Sequence, residues 1–163
     1  MSAPPKTNIT RRQTMLGGAI LAAGAASAGA LQFSTPTRLI DDANRTLSPP
    51  EALAAVGNGT VILIDIRRPD EWARTGVAQG AVPIDMRRDD FADTVAALHA
   101  ANPDVRLAFI CARGVRSRNV IGRLEDVGIQ NTLDVPEGML GSSAGPGWLK
   151  RGIPVVPYAA ADS

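Results

Sequence analysis

Arg106-Leu107-Ala108-Phe109-Ile110-Cys111-Ala112-Arg113-Gly114-Val115-Arg116-Ser117 is the stretch that decides how this chain folds. Residues 106–110 form a short, mostly apolar run, the pattern of a strand buried within a sheet. The only cysteine of the chain follows at once, and a loop containing Gly114 leads into a helix predicted over residues 117–127. In that helix Val120, Ile121 and Leu124 share one face, and Gly128 supplies a left-handed cap. A strand passing through a loop to a helix is one unit of an α/β domain, and ligands of such domains sit beyond the carboxyl ends of the strands. Cys111 therefore stands where a site is expected.

Working outward, Val61-Ile62-Leu63-Ile64-Asp65 is a second continuous run, suited to a central strand covered on both faces. Ahead of it, Ser48-Pro49-Pro50-Glu51 starts a helix with a capping hydroxyl, prolines in the first turn and a carboxylate three residues on. That helix is expected to end around Gly57-Asn58-Gly59. Pro69-Asp70-Glu71-Trp72 opens a short helix, and the proline of Ala81-Val82-Pro83-Ile84 places that extended piece at a sheet edge. Phe91, Val95 and Leu98 recur at helical spacing within residues 89–100, and residues 132–135 form the last clear strand. The alternation predicts an α/β domain with a mainly parallel central sheet flanked by helices on both faces. Its bounds are expected at 48–156, after an extended arm over 31–47 and before a tail over 157–163.

Lys6, Arg11 and Arg12 are the only charges before residue 31, so the remainder carries 14 basic and 16 acidic groups, a net charge near −2. That balance gives no broad positive surface, which argues against nucleic acid or an anionic membrane as partner and favours small-molecule chemistry. Residues 1–30 read as an address. Paired Arg11-Arg12 precede a weakly apolar stretch from Leu16 to Ala30, and Ala26-Ser27-Ala28 and Ala28-Gly29-Ala30 both fit a small-x-small cleavage site. The segment resembles a twin-arginine export signal, and that resemblance implies a bacterial periplasmic location. Glycines dilute the apolar stretch below what a spanning helix needs, so the mature form is not expected to cross a membrane.

A lone cysteine is commonly a small buried hydrophobe, but the neighbours of Cys111 suit reactivity. A loop closing onto a helix start turns several N–H groups inward, and these donors favour negative charge at its centre. Arg113 and Arg116 bracket the thiol, conditions that favour the nucleophilic thiolate, while Gly114 permits the positive φ of a tight turn.

Several motifs in chain order resemble the rhodanese family: Asp65-x-Arg67 with Pro69-Asp70-Glu71-Trp72, then Gly80-Ala81 with Ile84, then the cysteine loop. Gly145-Pro146-Gly147-Trp148 with Gly152-Ile153-Pro154-Val155 resembles the end of single-domain members. The resemblance implies a rhodanese-like sulfurtransferase in which Cys111 takes sulfane sulfur from a donor such as thiosulfate and passes it to cyanide or a thiol. It implies a persulfide held by Ala112, Arg113, Gly114, Val115, Arg116 and Ser117, with Arg113 and Arg116 attracting the oxyanion end of the donor. No cofactor and no metal are called for. A protein acceptor is a further partner compatible with this chemistry.

The other class of reading is a non-enzymatic persulfide carrier in a periplasmic relay. A third is a cysteine phosphatase or arsenate reductase, but those enzymes place arginine six residues after the cysteine, where this chain has Ser117. Asp65 is expected either to orient Arg67, to tether the cysteine loop or to form a turn. The pairs Arg67-Arg68 and Arg87-Arg88 read as solvated faces, His99 as a solvated or capping residue, and Trp72 as packing. Trp148 reads as packing with a place near the pocket. Where relatives carry histidine before the glycine of the second motif, this chain has Arg74-Thr75-Gly76-Val77-Ala78-Gln79-Gly80, which concerns local geometry.

Overall fold

The computed structural model describes residues 45–158. The expected export signal, most of the arm and the last five residues of the tail lie outside them. Helix α1 (Pro49–Gly57) opens as anticipated, with the Glu51 carboxylate accepting both the N–H and the hydroxyl of Ser48. Strand β1 (Val61–Asp65) leads to α2 (Pro69–Thr75), then come the two-residue strands β2 (Val77–Ala78) and β3 (Val82–Pro83). Helix α3 (Phe91–Ala101), strand β4 (Arg106–Ile110) and helix α4 (Val115–Asp126) follow, with β5 (Leu133–Asp134) and β6 (Val155–Val156) closing the order.

The main sheet runs β3-β1-β4-β5 and every pairing in it is parallel. Pro83 sits on the edge strand, as its missing N–H requires. Thr46 of the arm bridges Asp134 in parallel, and the N–H of Leu47 donates to the Asp134 carbonyl. The chain leaves β1 for β3 on one side and later crosses to β4 on the other. That reversal makes the ends of β1 and β4 the switch point at which such sheets bind ligands.

Each face of the sheet has its own core. Alternate residues Leu107, Phe109 and Cys111 join Ile64, Ile66, Phe91, Val95 and the α4 residues Val120, Ile121 and Leu124. The residues between, Ala108 and Ile110, pack with Leu63, Leu133, Val135, Met139 and Trp148 on the opposite face. This two-residue period aims Cys111 at the α4 side. The antiparallel pair β2/β6 lay outside the sequence expectation, because two strands of two residues carry no period.

Candidate active site

Strand β4 delivers Cys111 to the floor of the loop, where the residue is 1% exposed. Gly114 then reverses the chain at φ 80°, ψ −13°. Its N–H donates to Cys111 Sγ at 3.1 Å, and Ser117 Oγ lies 3.6 Å from the same sulfur while donating to the Gly114 carbonyl at 3.2 Å. A Cβ at Gly114 would stand 2.2 Å from the Pro136 carbonyl oxygen, so the position requires glycine twice over, for its angle and for space. Because one left-handed residue completes the reversal, α4 begins at Val115 instead of the anticipated Ser117. Val115, Arg116 and Ser117 are therefore the first helical turn. The amides of Ala112, Arg113, Val115 and Arg116 have no backbone carbonyl partner among the described residues, as befits a helix start that can accept an anion.

A second loop braces the first from behind. The N–H groups of Met139 and Leu140 donate to the carbonyls of Cys111 and Ala112, each at 2.9 Å. Gly138, at φ 64°, comes so close that a Cβ there would lie 2.6 Å from the Ala112 carbonyl. This brace is anchored by the buried Glu137, which accepts from Arg151 at 2.7 and 2.8 Å and from the Gly147 N–H at 2.9 Å. Trp148 is wholly buried and donates to the Pro154 carbonyl, so it packs the core and does not face a pocket. Trp72 is buried against the ring of Tyr158.

The arginines meet different fates. Arg116 forms a two-pronged ion pair with Glu71 at 2.7 and 2.8 Å. This hydrogen bonding holds the Glu71 carboxyl at about 2, below the ordinary carboxylate range, against the opposing effect of burial. The same contact raises Arg116, with Cys111 and Asp65 adding smaller attractions. Arg113 is exposed and reaches only the Gly141 carbonyl, at 3.4 Å. Sequence reading missed Glu71 as a site residue: its place in the first turn of α2 already explains it locally, and its partner lies 45 residues away.

Asp65 and Arg67 correct the expectation of a solvated arginine pair. Arg67 is 1% exposed and Asp65 wholly buried, joined by three side-chain hydrogen bonds of 2.7–3.0 Å. The reason is tertiary: Arg67 also donates to Thr75 Oγ1 and the Gly76 carbonyl, tying the end of β1 to the end of α2. Asp65 orients Arg67 and forms a turn by accepting the Arg67 N–H. Arg68 is half-buried and Arg87 and Arg88 are exposed, each paired to a nearby carboxylate. His99 occupies the last turn of α3, away from the loop's hydrogen bonds.

Asp134 was not anticipated. It is 5% exposed, and its Oδ1 has no hydrogen-bond partner among the described residues. Burial pushes its carboxyl up, opposed by Ser117, Arg118 and the Val135 amide. No cluster of metal-ligating side chains occurs among the described residues.

Residues 48–143 match the rhodanese-like domain, more than half of the chain, and this protein belongs to that family. Among solved structures, a thiosulfate sulfurtransferase from Pseudomonas aeruginosa aligns with TM-score 0.54 and 22% identity, over 72% of this chain and 22% of that one. A protein of unknown function, titled a possible tyrosine phosphatase, from Rhodopseudomonas palustris aligns with TM-score 0.50 and 22% identity, over 69% and 84%. A rhodanese-like domain protein from Staphylococcus aureus is 26% identical, with TM-score 0.45, over 60% and 89%. At 22% identity the likeness to the first two is one of fold. No curated protein matches.

Proposed function

We propose that the domain is a sulfurtransferase carrying sulfane sulfur on Cys111. One observation carries the reading: the sulfur lies at the floor of a loop whose Gly114 amide already donates to it, ringed by further amides without backbone carbonyl partners among the described residues. In the first step Cys111 Sγ attacks the outer sulfur of thiosulfate. A new S–S bond forms, the old one breaks, and sulfite leaves with the electron pair. The loop amides then hold the outer sulfur of the anionic persulfide. In the second step cyanide or a thiolate attacks that sulfur, and the electron pair of the broken bond returns to Sγ. Arg113 attracts the donor anion, and Arg116, held by Glu71, fixes the first turn of α4 and adds its field.

Intact-mass measurement after thiosulfate treatment tests this. A one-sulfur adduct is expected on the protein, absent from Cys111→Ser and removed by cyanide as thiocyanate. No adduct would overturn the reading. Export belongs to the same proposal: the mature periplasmic chain is expected to begin near residue 29 or 31, and N-terminal sequencing that finds Met1 intact would overturn it.

A further inference from the structure

Charge pairing across the molecule is uneven. Arg45, Arg67, Arg68, Arg74, Arg87, Arg88, Arg116 and Arg151 all form ion pairs with carboxylates. Among the described residues, Arg113, Arg118, Arg123 and Lys150 have no such pair. Three of these four gather beside the cysteine loop: Arg113 and Lys150 line a cleft of about 500 Å³, and Arg113 and Arg118 line a second of about 270 Å³. The larger cleft has no carboxylate in its lining, which also includes Leu140, Gly141, Ser142, Gly145 and Pro146. Glu137 beneath Gly145 is already neutralised by Arg151. Two unpaired cations facing one cleft attract an anion, and its volume falls within the roughly 300–1,000 Å³ range of small-molecule sites.

The cleft is also tied to the nucleophile. Its residue Leu140 donates its N–H to Ala112, next to Cys111, and Arg113 reaches across to Gly141. Thiosulfate needs only the loop amides and one cation, so a cleft of this size beside the loop suits a larger molecule. Leu140, 44% exposed, and Pro146 offer apolar surface for its carbon chain.

We propose that the cleft between Arg113 and Lys150 is the carboxylate subsite for an anionic organic thiol, the acceptor of the sulfur carried on Cys111. This rests on the sulfur-transfer reading. The carboxylate pairs with Lys150 and Arg113 while the acceptor's thiolate attacks the outer sulfur of the persulfide. The S–S bond to Cys111 breaks, its electron pair returns to Sγ, and the acceptor departs as its own persulfide. No oxidant or reductant is consumed.

Binding and turnover test it separately. S-methylglutathione, which cannot accept sulfur, is titrated into the full chain while amide shifts at Leu140, Gly141 and Lys150 are followed. Its dimethyl ester, which lacks both carboxylates and keeps only the α-ammonium charge, serves as the control. Lys150→Ala is expected to weaken binding of the free acid about 3- to 10-fold, the scale of one charge-assisted contact, with Lys150→Arg restoring it. Equal binding of acid and ester, or no effect of Lys150→Ala, overturns the subsite whether or not sulfur is transferred. In turnover, Lys150→Ala is expected to raise KM for glutathione by a similar factor, leaving kcat and the KM for 2-mercaptoethanol within about twofold. A persulfide that forms on Cys111 but discharges to both thiols with unchanged KM in the variant overturns the subsite alone. Failure to form the persulfide overturns the sulfur-transfer reading.

Discussion

The two flanks of the cysteine loop are built on opposite electrostatic plans. On the α2 flank Arg116 is clamped by Glu71, and Asp85 close by is bound by Arg87, so charges are compensated within the protein. On the flank formed by residues 138–150 Arg113 and Lys150 face a cleft with no carboxylate in its lining. The first arrangement spends its charges on holding the loop in shape, and the second leaves them for a ligand. A compensated pair adds rigidity and little long-range attraction, whereas an uncompensated cation adds attraction and little stability.

That contrast can be broken at several points. Gly138→Ala should have the largest effect on stability, because a Cβ 2.6 Å from the Ala112 carbonyl in a left-handed residue forces the two loops apart. A loss of about 2–4 kcal/mol in denaturant unfolding is expected, and a change below about 0.5 kcal/mol would show that the brace is not needed. Glu71→Ala follows, with an expected loss of about 1–2 kcal/mol at neutral pH, discounted because Arg116 is partly solvated.

The same pair has a pH signature. Glu71 is held at about 2 in the folded protein, below its ordinary value of 4.5. Its contribution is therefore complete above about pH 4.5 and is lost as pH falls toward 2. The stability gap between the native protein and Glu71→Gln should narrow across that window, and a gap independent of pH would refute the ion pair's role.

Asp134 gives the opposite sign. Burial raises its carboxyl, so the folded protein binds the proton more firmly and stability falls as pH rises past the ordinary carboxylate range. Asp134→Asn should gain about 1 kcal/mol at neutral pH, with the advantage shrinking in acid, and a loss at neutral pH would mean that the charge has a structural partner. The smallest stability effect belongs to Arg113→Ala, within about 0.5 kcal/mol, although its KM for thiosulfate should rise severalfold. A melting loss as large as that of Glu71→Ala would erase the contrast between the flanks.

Much of the architecture was legible because the determining atoms are close in sequence. The continuous runs 61–65 and 106–110, the Ser48/Glu51 helix start and the edge proline Pro83 all act within a few residues, and each appears where expected. The start of α4 was misjudged by two residues, since the conformation of one glycine decides it. Cys111, Gly114 and the flanking arginines could be named from the loop, but which arginine would be clamped could not.

The repeated Asp-x-Arg motif separates the two kinds of information. Asp65-Ile66-Arg67 and Asp85-Met86-Arg87 form the same side-chain chelate and the same turn at the ends of β1 and its neighbour β3. That much the amino-acid sequence determines alone, because partners two residues apart meet through local backbone geometry. Only tertiary packing seals Arg67 under the end of α2 and leaves Arg87 in solvent. Likewise it brings Glu71 to Arg116 and Lys150 to the cleft of Arg113, since contacts between distant residues depend on the order in which parallel strands are laid side by side.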